Sequence, residues 1–258
     1  MDPPPYCEEP PDYSASALLP PATFFIAQNV VYSDQLGSSG SGSGSGSTPS
    51  AVFELSQQPF ELRDTTRTVS MDRLDRALKV HHSGEDGDLH HTITIQKRHM
   101  WDLKHPAALT GPVFLYHADA ASKHALCSFG MSTFRPRLLS TRLGYRVHRM
   151  VKHPLEKHVL LPRGLLFEAQ PAPRRRSRSA DGNTVTFEWC DSSSSSSSSS
   201  GAAELGGQLL ARELPGPRLF VTKEMDGKKR EALVAAWVLR LWWERAGSQH
   251  YELGRDGG

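Results

Sequence analysis

Apolar and polar positions along this chain alternate in short runs, most of them bounded by Gly, Pro or Ser. His90-His-Thr-Ile-Thr-Ile-Gln-Lys97 and Thr184-Val-Thr-Phe-Glu-Trp189 alternate strictly, which is the period of a strand with one buried face. That period puts Ile93 and Ile95 together on the half-buried side. Phe24–Tyr32, Ala51–Leu55, Val113–His117, Ala125–Phe129, Gly164–Ala169, Gly207–Arg212 and Leu219–Thr222 read as further strands from their aromatic and β-branched content. Thr65–Val80 mixes the two periods and reads as a strand running into a short turn. Gly84–Asp88 has turn chemistry.

One stretch breaks the alternation. Ala232-Leu-Val-Ala-Ala-Trp-Val-Leu-Arg-Leu-Trp-Trp243 carries one charge, Arg240, and no Gly or Pro. Ala and Leu favour helix, Asp226 is placed to cap it, and Gly247 is placed to end it. Leu233, Val234, Trp237, Val238, Leu241 and Trp242 go most of the way round. A helix apolar on every side lies in a core or a membrane. Twelve residues rise only about 18 Å, short of the roughly 20 residues a bilayer span needs. The stretch therefore reads as a buried axis. Many short strands and one such helix predict a closed antiparallel β-barrel of about 10–12 strands around a buried C-terminal helix, 229–246.

Composition then divides the chain. Residues 1–21 are rich in Pro and acid and hold no Lys or Arg, so they read as a disordered tail. The barrel domain spans 22–246, with low-complexity insertions at 37–47, 171–182 and 191–201, and 247–258 forms a polar tail. Loop-closure entropy grows slowly with length, so such insertions between paired strands are tolerated. The formal net charge of +2 points to no nucleic-acid partner. Cys7, Cys127 and Cys190 are odd in number and widely spaced, which suits a reducing compartment. The N-terminus lacks the pattern of a signal peptide. A cytoplasmic setting is expected, with a nuclear or peripheral membrane location as alternatives.

Candidate chemistry is sparse. No nucleophile elbow, phosphate-binding Gly loop or zincin motif is present, and no cofactor, catalytic or metal site is expected. His81-His82 and His90-His91 near Glu85, Asp86 and Asp88 read as surface histidines of a turn. Residues 135–163 hold eight Lys/Arg against Glu156 alone. Arg135, Arg137, Arg142, Arg146, His148 and Lys152 are the candidates for an anionic ligand, with Arg146, His148 and Lys152 on one strand face. Arg174-Arg-Arg-Ser-Arg-Ser179 resembles a basophilic kinase site at Ser177 and a nuclear-import patch. Pro3-Pro4-Pro5-Tyr6 and Pro10-Pro11-Asp12-Tyr13 both fit the P-P-x-Y pattern that WW domains bind, so Pro3, Pro4, Tyr6, Pro10, Pro11 and Tyr13 are candidate WW-binding residues.

Lys97-Arg-His-Met-Trp-Asp-Leu-Lys-His-Pro106 resembles a recurring signature of a family of uncharacterised fungal proteins. Leu166–Ala169, Phe187–Trp189 and Ala232–Trp242 resemble its later blocks. Those proteins are similar in turn to the tubby C-terminal-like fold, which includes LURP-one-related proteins and phospholipid scramblases. The resemblance implies a closed barrel around a hydrophobic C-terminal helix over residues 22–246, and it places no ligand residues. The function expected is a non-enzymatic binding or adaptor protein. Its barrel would take an anionic ligand, for instance a phosphoinositide at an anionic membrane surface. Its tail would recruit a WW-domain protein such as a HECT-type ubiquitin ligase. The alternative is a scramblase-like lipid-translocating protein, or an enzyme with an unrecognised site.

The two tail motifs make one prediction. A tandem-WW fragment titrated with the 1–21 peptide should bind more tightly than either site alone allows, by up to roughly 10²–10⁴ when both engage. Tyr6→Ala should weaken binding and Tyr6→Ala with Tyr13→Ala should remove it. Superimposable curves for wild type and the double variant would refute the adaptor reading.

Overall fold

Strands that alternate and carry no long polar edge can satisfy their backbone by closing the sheet on itself. The computed structural model describes residues 18–35, 49–83, 88–105, 114, 116–136, 142–152, 160–172, 186–191 and 207–253. Among them, twelve strands form a closed barrel: β2 (Ala22–Ala27), β3 (Val30–Gln35), β4 (Ser50–Leu55), β5 (Thr68–Ser83), β6 (Asp88–Lys104), β7 (Tyr116–Ala120), β8 (Phe129–Phe134), β9 (Gly144–Lys152), β10 (Leu160–Pro171), β11 (Phe187–Asp191), β12 (Leu209–Leu214) and β13 (Arg218–Val221). Each pairs antiparallel with its neighbour in sequence. The seam closes where β13 meets β2, from Arg218↔Phe25 to Val221↔Ala22. Outside the barrel, β1 (Leu18–Leu19) pairs with β14 (Met225–Asp226), just before the helix α1 (Gly227–Leu253).

A barrel of about eight strands is filled by its own side chains, whereas twelve leave a wider lumen. Here α1 fills it. Every residue from Arg230 to Arg240 is buried, and Ala232–Leu239 are wholly so. Inward positions of the strands close on it: Ala22, Phe24 and Ile26 from β2, Phe187 and Trp189 from β11, Leu219 and Val221 from β13. Asp226 caps the helix, accepting from the Lys229 N–H at 3.0 Å. Lys229 bonds Asp191 of β11, Arg230 donates to the Pro20 carbonyl at 3.0 Å, and Glu231 pairs with Arg73 of β5. Among the described residues, no helix is long and apolar enough to cross a membrane.

The barrel and its central helix match the expectation, but several local readings change. Phe24–Tyr32 is a hairpin, β2 and β3, turned at Gln28-Asn29 with Gln28 in the left-handed region (φ 57°). Asn29 then ties this turn to β4, its side chain donating to the Leu55 carbonyl at 3.0 Å. No Gly marks that turn, so continuous β-branched and aromatic content hides it. Thr68–Ser83 is one strand, because β6 pairs it along its length from Thr68↔Lys104 to Ser83↔Asp88. Only the start of β5 reaches β4 and only the end of β6 reaches β7, so the rest projects as a two-stranded ribbon. Ile93 and Ile95 sit on that ribbon and are 67% and 58% exposed, not half-buried. Ala125–Ser128 lies in the connection between β7 and β8, not in a strand. Gly247 lies within α1 rather than ending it. The Gly/Ser run, Gly84–Gly87 and the serine run lie outside the described residues.

Trp101 is fully buried and donates its indole N–H to the Cys127 carbonyl at 3.2 Å. Two other core tryptophans differ in a testable way. Trp189 donates to Glu213 Oε1 at 2.7 Å, whereas the buried Trp237 indole nitrogen has no hydrogen-bond partner. Trp189→Phe should therefore cost about 1–3 kcal/mol more than Trp237→Phe, although both delete the same atoms. Urea unfolding midpoints of the two variants measure the difference.

Candidate functional site

Arg240 is the one charged residue in the apolar run of α1, and a guanidinium cannot stay in a core without partners. Its Nε donates to Glu213 Oε1 at 2.7 Å, and its Nη2 bonds Glu213 Oε2. Arg240 and Glu213 are each 3% exposed at the side chain. The third nitrogen, Nη1, pairs with Glu244 Oε1 at 2.7 Å, one turn on along the helix. The guanidinium lies 4.4 Å over the Phe187 ring and 5.8 Å from the Tyr145 ring centre. Burial opposes the Arg240 charge, but Glu213 and Glu244 outweigh it and hold its pKa above the usual value. Burial pushes Glu213 up, against the pull of Arg240 and the Trp189 N–H. Burial also pushes the Tyr145 phenol up to about 12, so its hydroxyl keeps its proton at neutral pH.

This cluster floors a cavity of about 550 Å³ that opens at one mouth of the barrel. That size suits a small ligand, and so does a mostly apolar wall with few polar groups. Phe60, Leu143, Phe187, Leu214 and Leu241 supply apolar wall, and Arg142 stands on the rim. The wall is assembled from several connections at this end. Phe60 comes from a 3-10 turn (Pro59–Glu61), Arg142 and Leu143 precede β9, and Pro215-Gly216-Pro217 joins β12 to β13. Gly216 takes φ +73°, a left-handed conformation that suits glycine and lets the chain turn between the two prolines. A smaller cavity of about 270 Å³, lined by Ser33, Arg73, Arg76, Arg230 and Glu231, opens near the start of α1.

Of the six predicted anion-binding residues, Arg135, Arg142, Arg146 and His148 have described side chains. Arg135 is exposed just after β8, at the same mouth as Arg142. Arg146 bonds Glu168 at 2.9 Å and lies 4.2 Å over the Phe134 ring. His148 stacks on Phe114, with ring centres 5.6 Å apart. Lys152 ends β9, and its side chain is outside the described part, as are Arg137, Ser177 and the six tail residues. Sequence reasoning missed Glu213, Tyr145, Phe187 and Glu244. The available signal was Arg240 itself, since a cation inside an apolar helix demands a buried carboxylate elsewhere in the chain. Among the described residues, no cluster of three His, Cys, Asp or Glu side chains could hold a metal.

Compared with models of protein families, with curated proteins and with solved structures, the chain matches none.

His148 supplies a pH test. Burial, then the neighbouring Arg146 charge, holds its pKa below the usual 6.5. The folded chain thus takes up this proton less readily than the unfolded chain. The group's contribution to stability is complete above 6.5 and is lost as pH falls from there towards the folded value. An NMR titration should show the His148 imidazole neutral at pH 7, with a midpoint below 6.5. A midpoint above 6.5 would return His148 to the cationic surface.

Proposed function

We propose that this protein is a non-enzymatic binding module of the tubby-like barrel type, taking an anionic, partly apolar ligand at the mouth of the barrel. The carrying observation is the 550 Å³ cavity with an apolar wall, the Arg240 guanidinium in its floor and Arg142 on its rim. Arg240 is paired with Glu213 and Glu244, so Arg142 on the rim and the nearby Arg135 attract the oxyanion headgroup, and the wall receives the apolar part. A phosphoinositide is one ligand of that kind. The basic segment contributes through Arg142 and Arg135 in this reading. Arg146 is already committed to Glu168. The N-terminal tail adds the recruiting function, carried by its two P-P-x-Y motifs.

Vesicles of phosphatidylcholine with and without a phosphoinositide test the barrel's part. Full-length protein should sediment with the phosphoinositide vesicles at low salt. It should be released as salt rises, because exposed charges are screened over about 8 Å at physiological ionic strength. Arg135→Glu with Arg142→Glu should abolish the binding. Sedimentation of the double variant equal to wild type, or none by wild type at low salt, would refute the phosphoinositide reading.

A further inference from the structure

Arg230, in the first turn of α1, is 9% exposed, so its charge has largely left water. Its Nη1 donates to the Pro20 carbonyl at 3.0 Å, a neutral acceptor, and the guanidinium lies 5.7 Å from the centre of the Phe24 ring. Among the described residues, no carboxylate forms an ion pair with it. The neighbouring carboxylates are taken: Glu231 pairs with Arg73, and Asp75 pairs with Arg73 at 2.9 Å and Arg98 at 2.7 Å. Three guanidiniums thus share two carboxylates in this described network, and one positive charge is left over. Burial, against the pull of Glu231 and with help from Arg73, holds the Arg230 pKa below its usual value. Ser33 of β3 stands opposite Phe24 in the register, is 5% exposed, and its hydroxyl has no hydrogen-bond partner. Buried polar groups are ordinarily paired. Both residues line the 270 Å³ cavity, whose wall also holds Leu19, Val52 and Val234. An unbalanced cation and an unmatched hydroxyl therefore adjoin one small, partly apolar space.

We infer that this cavity is a second ligand site and that it takes a short aliphatic monocarboxylate. The carboxylate accepts from the Arg230 guanidinium and from the Ser33 hydroxyl, and the alkyl chain lies against Leu19, Val52 and Val234. One negative charge balances the one positive charge in excess, whereas a doubly charged phosphate would overshoot it and leave a buried charge uncompensated in its turn. Exposed Arg76, also in the lining, draws the anion in. Arg230 precedes Arg240 by ten residues, about 15 Å along the helix, so this site is separate from the one proposed at the mouth near Arg240.

Calorimetric titration of the full chain with hexanoate at about pH 8 tests this, with 1-hexanol and inorganic phosphate as controls. Wild type should bind hexanoate roughly tenfold more tightly than 1-hexanol, the effect of one charge-assisted hydrogen bond. Phosphate should not displace it. Ser33→Ala should weaken hexanoate binding about fivefold, the effect of one hydrogen bond, yet melt at or above the wild-type temperature, because the deleted hydroxyl had no partner. Arg230→Gln should abolish hexanoate binding, and where that variant does not fold, Ser33→Ala carries the test. Arg135→Glu with Arg142→Glu should bind hexanoate as wild type does, whatever its behaviour on vesicles. Wild-type hexanoate affinity in Ser33→Ala would overturn the site, since the anion would then be held elsewhere. Phosphate bound in preference to hexanoate would overturn the ligand class. Absence of hexanoate binding by wild type would overturn both.

Discussion

A twelve-stranded barrel has to be filled, and this single constraint organises the molecule. Side chains pointing in from the strands cannot meet across so wide a lumen. A solid rod of apolar residues can bridge the gap, and α1 is that rod. It must be apolar on every side because strands surround it, which is why Ala232–Leu239 show no polar stripe. A featureless rod in a tube could slide or rotate. The polar contacts at its start and midway along prevent both: Lys229, Arg230 and Glu231 bond residues around the first turn, and Arg240 grips Glu213 further along. Breaking a buried pair by removing one partner typically costs 3–5 kcal/mol, so the Arg240–Glu213 contact fixes the depth of the rod firmly.

The same pair explains why the candidate site lies where it does. Near Arg240 the helix approaches the mouth, and the core gives way to a cavity that a polar group can reach. There the guanidinium of Arg240 lines a space open to a ligand. The basic segment 135–163, prominent in the sequence, is divided by the fold. Among its described residues, Arg146 on β9 bonds Glu168, and Arg142, just before β9, lines the mouth.

Architecture was legible because it follows from periodicity. Strict alternation at Phe187–Trp189 and the all-round apolar run at Ala232–Trp243 each admit few solutions, and together they imply a filled barrel. Turns without Gly or Pro were not legible, as at Gln28-Asn29. Nor was the ribbon legible, since alternation at Ile93 and Ile95 shows two faces without showing that anything covers one of them. The candidate site was half visible. Arg142 stood out by charge, and Arg240 by its setting. Glu213, Tyr145 and Phe187 come from distant strands, and only the barrel's closure brings them to Arg240.

Chain order gives the seam between β2 and β13 a kinetic meaning. The first barrel strand can find its second neighbour only after Arg218–Val221 have been made, and the rod that fills the lumen is made later still. On a ribosome, Phe24, Phe53 and Trp101 therefore wait with their inward faces uncovered while the rest of the barrel is translated. Contacts of such long sequence separation are slow to form. The open sheet is the species most exposed to aggregation and to holding chaperones. A chain ending before Ala232 could still pair β13 with β2 but would lack the rod that covers those inward faces.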